Sequence, residues 1–263
     1  MHHLKLIRIF FTASAQNELA YRANFWISLF HSVLELVTGG MGLLILFNQV
    51  DTINGWDLAS TLALLGVYLT LNALRSLFLG PSLDALAGMD GEVWTGRLDY
   101  SILRPVDIQF QASFRHWRPL ALLDLALALG VLLMGAVQMG ISAAPLPLLA
   151  FFLAMGSGLA ILYAFLLAFA GMVFWSPGFL FTWVFDGLFQ LARFPLSLYP
   201  AWLRLILTWI VPVGMMTTFP IQALSSQLSL PLLATSLLLA IVLVIAATIL
   251  FRTGIRHYAS ASS

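Results

Sequence analysis

Long apolar runs separated by short polar breaks fill most of the chain: 24–47, 58–79, 119–141, 147–174, 178–192 and 230–251 carry few charges, and 201–219 is a seventh candidate. Most of these runs are near the ~20 residues that a helix needs to cross a hydrocarbon core about 30 Å thick, which favours helical spans over the alternating pattern of a membrane barrel. The pattern predicts an all-α polytopic membrane protein forming one transmembrane domain over 1–263. The seventh run differs from the others. Pro195, Pro200, Pro212 and Pro220 interrupt the stretch 194–220, and helix breaks at membrane depth need protein or water cover. This stretch is therefore expected to be a re-entrant helical hairpin dipping in from the outer face, leaving six transmembrane helices. A seventh full span is the alternative.

Residues 1–23 precede the first run. Leu4, Ile7 and Phe11 share one helical face there, with Lys5, Arg8 and Gln16 elsewhere, a distribution that fits a helix lying in the inner membrane interface. A plain extension of the first span is the other reading. Because the run follows some twenty residues containing Lys5, Arg8, Glu18 and Arg22, and has no clear small-residue cleavage site, it is expected to be retained as a span and not removed as a signal peptide.

Composition supports the same class. A chain that is 61% hydrophobic, with a mean hydropathy of +0.97, has more apolar surface than a water-soluble domain could hide. The net charge of +1 gives no reason to expect a nucleic-acid partner. With no cysteine, disulfides, thiolate metal sites and cysteine nucleophiles are excluded.

The distribution of charge sets the orientation, since Lys and Arg collect on the cytoplasmic side. Lys5, Arg8 and Arg22 lie in the N-terminal arm, Arg97, Arg104, Arg115 and Arg118 in the segment 80–118, and Arg252 and Arg256 in the tail, whereas 48–57 and 142–146 have no basic residue. Both termini and the 80–118 segment are thus expected in the cytoplasm, as in a multi-pass protein of the cell (inner) membrane. Two ends on one side require an even number of crossings.

Catalytic chemistry is hard to find. The only lysine is Lys5, so there is no P-loop; there is no HExxH or GxSxG, and His2, His3, His31, His116 and His257 are scattered without metal-ligand spacing. No catalytic residue, metal or cofactor is expected in this chain. The ionisable residues within the apolar runs are Glu35, Arg75, Asp124 and Asp186, each costing roughly 2.5–3.5 kcal/mol at mid-membrane. Counting about 1.5 Å per residue puts Glu35 near the midplane and both Arg75 and Asp124 near the inner face. Arg75 is then expected to snorkel or pair with Asp124, and Asp186 to reach Arg193 at most with extended side chains. Glu35 has no partner at matching depth. Each acid suits either a translocation path or a local packing role. Asp124 and Asp186, in opposite halves of the bilayer by this count, do not make an aspartyl protease.

The segment 80–118 holds nine of the 23 charged residues. Within it, "GRLDYSILRPVDIQF" at 96–110 is a candidate docking element: short helices are expected at 84–87 and 91–103, the second ended by Pro105. A solvated loop with internal ion pairs is the competing reading.

That stretch, together with "AYRANFWISLF" at 20–30, "RFPLSLYPAWLRLILTWIVPVGMMTTFP" at 193–220 and "FRTGIRHYASASS" at the end, resembles the membrane subunits of ATP-binding cassette (ABC) exporters of the type-2 permease superfamily. More narrowly, it resembles the ABC-2 family transporter proteins encoded apart from their ATPase. The resemblance runs nearly end to end. It implies an N-terminal interfacial helix, six spans, a cytoplasmic coupling helix between the second and third, and outer re-entrant helices before the sixth. By position, Gly96, Arg97, Leu98, Asp99, Tyr100, Arg104 and Pro105 would lie in or beside the element touching the ATPase. The implied partners are an ABC ATPase subunit that binds ATP and magnesium, a second permease subunit (the same or a homologous chain) and the lipid bilayer. An ion- or proton-coupled secondary transporter using Glu35 or Asp186 is the leading alternative, although such carriers break helices in both halves and here only the C-terminal half is broken.

Overall fold

The computed structural model describes residues 2–19, 22–88, 90–141, 144–176 and 181–258, and among them every regular element is helical. Helix α1 (His2–Leu19) is followed by α2 (Arg22–Phe47). A tight turn then reverses the chain. Asn54 and Gly55 both have positive φ, 50° and 84°, the type I′ geometry that Asn-Gly suits, and Ile53 pairs with Trp56 across it. Asp57 next caps α3 (Leu58–Leu74): its carboxylate accepts from the Ser60 amide while the Ser60 hydroxyl caps the Asp57 amide in return, so two otherwise orphan donors are satisfied.

Helix α3 does not end at Leu74. It continues through a π turn at Arg75–Leu79 into α4 (Gly80–Asp84), making one apolar unit of 27 residues, Leu58–Asp84. The polar segment then holds α5 (Leu98–Ile102) and α6 (Ile108–Phe114), after which α7 (Ala121–Gln138) and α8 (Pro145–Met172) pass back and forth. Gly140, with φ of 65°, lets the chain turn off the end of α7 in a conformation that costs other residues more. Beyond α8 come α9 (Phe181–Gln190), α10 (Ala201–Leu205, prolonged by a π turn to Ile210), α11 (Val213–Leu224) and α12 (Leu230–His257).

The architecture is two tight pairs, α3 with α7 antiparallel and α8 with α12 parallel, joined by α11, which packs on both α8 and α3. Glycines set the close approach. A Cβ on Gly66 would stand 2.4 Å from the Leu132 Cα and one on Gly135 2.4 Å from the Ala63 nitrogen; Gly171 and Gly254 play the same part between α8 and α12, against Phe251 and Phe174. Small residues at such crossings are the usual means of bringing helix backbones together in lipid. The Leu58–Asp84 unit is 67% buried across its most apolar window, against 17% to 39% for the other long helices, and so is the centre of the bundle. Helix α11 is as deeply enclosed: Met216, Phe219 and Ile221 are buried. The large side chains that α2, α8 and α12 leave exposed, such as Phe30, Met41, Phe152 and Ile245, give the bundle the apolar exterior that membrane-spanning helices present.

Five helices among the described residues are long and apolar enough to cross a membrane, and up to six if one bent pair is counted as a span. Five of the runs expected from the sequence correspond to them, with ends moved by a few residues. The run 178–192 does not: its described part is the ten-residue α9 and a 3-10 turn at Leu191–Arg193. In the 194–220 stretch the proline effect is visible, for Ala201–Ile210 and Val213–Leu224 meet at 90° across the break at Val211 and Pro212. Within α11, Pro220 has no N–H to give the Met216 carbonyl, and that carbonyl faces Gly158 on α8. The expected helices at 84–87 and 91–103 are also displaced. The span itself absorbs Gly80–Asp84, turns occupy 91–97, and only Leu98–Ile102 is helical.

Candidate functional site

Four helices bring the intramembrane charges into one cluster, with pairings that differ from those expected. Arg75 binds Asp186, with its Nη1 2.6 Å from Oδ1, and not Asp124; Arg193 Nη2 lies 3.5 Å from Glu35 Oε1, so Glu35 has a cationic partner after all. Asn72 donates to the same carboxylate at 3.1 Å, and the Arg193 guanidinium lies over the Tyr68 ring, 5.3 Å from its centroid. Asp124 accepts a hydrogen bond from the Ser32 hydroxyl.

The reason for the difference is the length of the second span. Because it runs on to Asp84, Arg75 lies about 14 Å from that end at 1.5 Å per residue, level with Asp186 of α9. Asn72, Tyr68 and Ser32 escaped the sequence reading, and Arg193, expected at most beside Asp186, pairs with Glu35. One signal for this site was legible there: Ser28, His31, Ser32 and Glu35 recur at helical spacing on one face of the otherwise apolar α2.

Two cavities flank Glu35. One, of about 230 Å³, lies between α2, α3 and α7 and has Glu35 and Asp124 on its wall. The other, of about 360 Å³, opens between α2, α3 and α9 with Arg75, Asp186 and Arg193 around it. His31, Glu35 and Asn72 line both, so the Glu35 crevice has two chambers with these side chains in their shared wall. Among the described residues no three His, Cys, Asp or Glu side chains are grouped to hold a metal ion.

A second functional candidate is the segment 80–118, which is folded and not a loose loop. Glu92 and Arg115 form its central ion pair at 2.9 Å, both largely covered, and Arg115 also donates to the Ser101 hydroxyl at 3.0 Å. Ser82 clamps the far end, giving its hydroxyl proton to the His116 carbonyl and accepting from the His116 amide. Burial, and then the positive charge of Arg115, hold the His116 imidazole below its ordinary pKa, against a smaller opposing pull from Glu92.

Of the seven residues singled out here, Gly96 makes the turn into α5 at a φ of 71°. Arg97 ties that turn down through the Asp90 carbonyl at 2.5 Å. Leu98 is 2% exposed and serves the element's own packing. Asp99 is half-buried in the first turn of α5, while Tyr100, Arg104 and Pro105 stand exposed. Trp94, Ile102 and Leu103, exposed by 53%, 44% and 81%, enlarge this surface and were not anticipated. An apolar residue in a charged segment is read from sequence as that segment's core, and only the fold shows that Leu98 takes that place while Leu103 does not.

Side-chain hydrogen bonds join this element to the bundle. Gln109 of α6 donates to Thr248 of α12 at 3.1 Å and to Tyr163 of α8 at 3.3 Å, and accepts from Arg252 at 3.4 Å. Ser113 meets the same Tyr163 hydroxyl at 2.9 Å. On the other side α1 holds the entry to α7. Ser14 accepts from the Trp117 amide and Glu18 from the Leu120 amide, at 3.1 and 3.0 Å, and Phe11 meets the Trp117 ring edge-on. Thus Phe11 turns toward the protein, whereas Leu4 is 75% exposed, and the apolar face expected to lie together is divided between the two.

The family model for ABC-2 family transporter proteins matches residues 33–262. No curated protein and no solved structure matches the chain.

Proposed function

The chain belongs to the ABC-2 family transporter proteins, and from that premise we propose that it is the transmembrane subunit of an ATP-driven exporter whose hydrolysis occurs in a separate ATPase chain. As a member of this family it is a multi-pass membrane protein and the membrane component of an ABC transporter. The finer assignment concerns how it is driven. ATP and its magnesium ion belong to the partner, and the segment 80–118 is the coupling element that meets it on the cytoplasmic side, where the arginine distribution also puts both termini. Two permease subunits, each with six spans and with 194–220 as an outer re-entrant hairpin, enclose the path that the Glu35 crevice opens onto.

The observation that supports this reading is the exposed edge of α5, with Tyr100, Leu103 and Arg104 presented from a helix that Arg115, itself paired with Glu92, anchors through the Ser101 hydroxyl. A rigid apolar projection with an arginine at its rim has the composition of an interface centre. Gln109 then supplies a route from that projection to α8 and α12. For ATP binding to do work, the contact must differ between the two states of the ATPase, since an equal contact would shift no equilibrium.

The test is affinity capture of the tagged protein from native membranes in mild detergent, comparing the wild type with a variant carrying Tyr100→Ala and Leu103→Ala. Recovery of a P-loop ATPase with the wild type, strongly reduced in the variant, is expected. Equal recovery in both would remove the docking role, and transport driven by an ion gradient without ATP would favour the secondary-carrier reading. Against that reading, Glu35 and Asp186 are each engaged by an arginine.

A further inference from the structure

The smaller cavity, between α2, α3 and α7, has a chemistry that coupling leaves unused. Its wall carries two carboxylates from different helices, Glu35 and Asp124. Glu35 is only partly compensated: Arg193 lies 3.5 Å away, well beyond the ~2.8 Å of a close charge-assisted bond. Asp124 has the Ser32 hydroxyl and, among the described residues, no cation within ion-pair distance. A carboxylate inside a membrane span is costly unless a cation or a hydrogen-bond donor balances it, and here the balancing group has room to come from outside.

The remaining wall says what kind of group that is. Ser28, Ser76 and Asn72 offer neutral acceptors and His31 an imidazole, an acceptor when neutral, while Ile27, Leu69 and Leu127 are apolar. No Phe, Tyr or Trp lines the cavity among the described residues, so the cation–π enclosure that recognises quaternary ammonium groups is lacking. Several acceptors around two carboxylates suit a head with N–H donors of its own. Ile27 lines the cavity and is yet 66% exposed, so the cavity opens on the lipid-facing side of α2, where an alkyl tail can remain in hydrocarbon. Arg118 also borders it, six residues before Asp124; an anionic head would go to that guanidinium, and the two head types are therefore separable by experiment.

We propose that this cavity binds the protonated primary-amine head of an amphiphile between Asp124 and Glu35, with the tail leaving beside Ile27. The proposal rests on the transport reading for its biological meaning, since it names the class of cargo, but the binding belongs to this chain alone.

The test is equilibrium binding of radiolabelled dodecylamine to the purified full chain in phosphatidylcholine nanodiscs, with empty discs subtracted and no ATPase present. Saturable binding is expected, with dodecylamine competing at least about tenfold better than dodecyltrimethylammonium or dodecyl phosphate. Asp124→Asn, and separately Glu35→Gln, should each weaken it about tenfold, while Asp124→Glu retains it and Arg118→Gln, which removes a like charge from the border of the cavity, does not weaken it. Equal competition by all three heads, preference for the phosphate, or unaltered binding in both acid-neutralising variants would overturn the proposal. Failure here leaves ATPase capture untouched, and failure of ATPase capture leaves this binding untouched.

Discussion

Substituting Gly66 by alanine probes the centre of the bundle. The added methyl carbon would lie 2.4 Å from the Leu132 Cα and 2.5 Å from its nitrogen, and on Gly135 the methyl would lie 2.4 Å from the Ala63 nitrogen. Carbon atoms rest at about 3.5–4.0 Å, so either change requires α3 and α7 to part by about 1–1.5 Å. The obstructing atoms are backbone in both cases and no rotamer relieves them. A gap of only about 0.5–1 Å already forfeits a quarter to a half of each contact along the seam, and overpacking in a core costs about 1–3 kcal/mol. A value of about 3 kcal/mol is expected for each variant, a fall of roughly 6–12 °C in melting temperature for a domain of this size.

The internal control is Gly130→Ala on the same α7, with Gly156→Ala on α8, since a Cβ at either meets nothing within 4 Å. Alanine is the better helix former by up to about 1 kcal/mol, so these should match or slightly exceed the wild type. The assay is heating in detergent followed by size-exclusion chromatography of the surviving monodisperse protein. If Gly66→Ala and Gly130→Ala melt together, the two helices are not in backbone contact and the account of the α3–α7 pair is wrong.

Other expectations are as direct. Glu92→Gln removes the charge that meets the largely covered Arg115 at 2.9 Å; a charge-assisted bond is worth about 1.5–3 kcal/mol, so local opening of 80–118 should rise at least tenfold and be seen as faster tryptic cleavage after Arg97 and Arg115. Gln109→Leu breaks the junction of α6 with Thr248 and Tyr163; under the proposed mechanism it should preserve ATPase capture while lowering ATP-driven transport, and equal loss of both would mean general misfolding. Asp57→Ala deletes the cap of α3, at about 1 kcal/mol or some 2–4 °C at pH 7. Its hydrogen bonds to Ser60 hold the Asp57 carboxyl below its ordinary pKa against an opposing effect of burial. The stabilisation is therefore complete above the unfolded value of about 3.9 and lost as pH falls through the lower folded one. Wild-type and Asp57→Ala melting curves should converge in that acid range, and a constant gap would exclude the carboxylate as the cap.

Much of the protein was legible as a string. Runs of Leu, Ala, Phe and Val gave five of the long helices to within a few residues, and Pro212 announced the 90° break. The concentration of charge in 80–118 marked a separate element. Hydropathy succeeds in these cases because transfer from water to hydrocarbon is a property of each residue and sums along a window. Proline acts on its own turn for an equally local reason.

What the tertiary structure decided was depth and partnership. Arg75 went to Asp186, and Glu35 to Arg193 and Asn72, because the second span continues past Leu79 and the α9 segment is short. Leu98 became core and Leu103 surface in a segment where composition treats them alike. Such outcomes depend on where two helices begin relative to one another and how closely their backbones approach, which at the α3–α7 crossing turns on two missing methyl groups. Those are properties of pairs far apart in the chain, and no window along it contains both members.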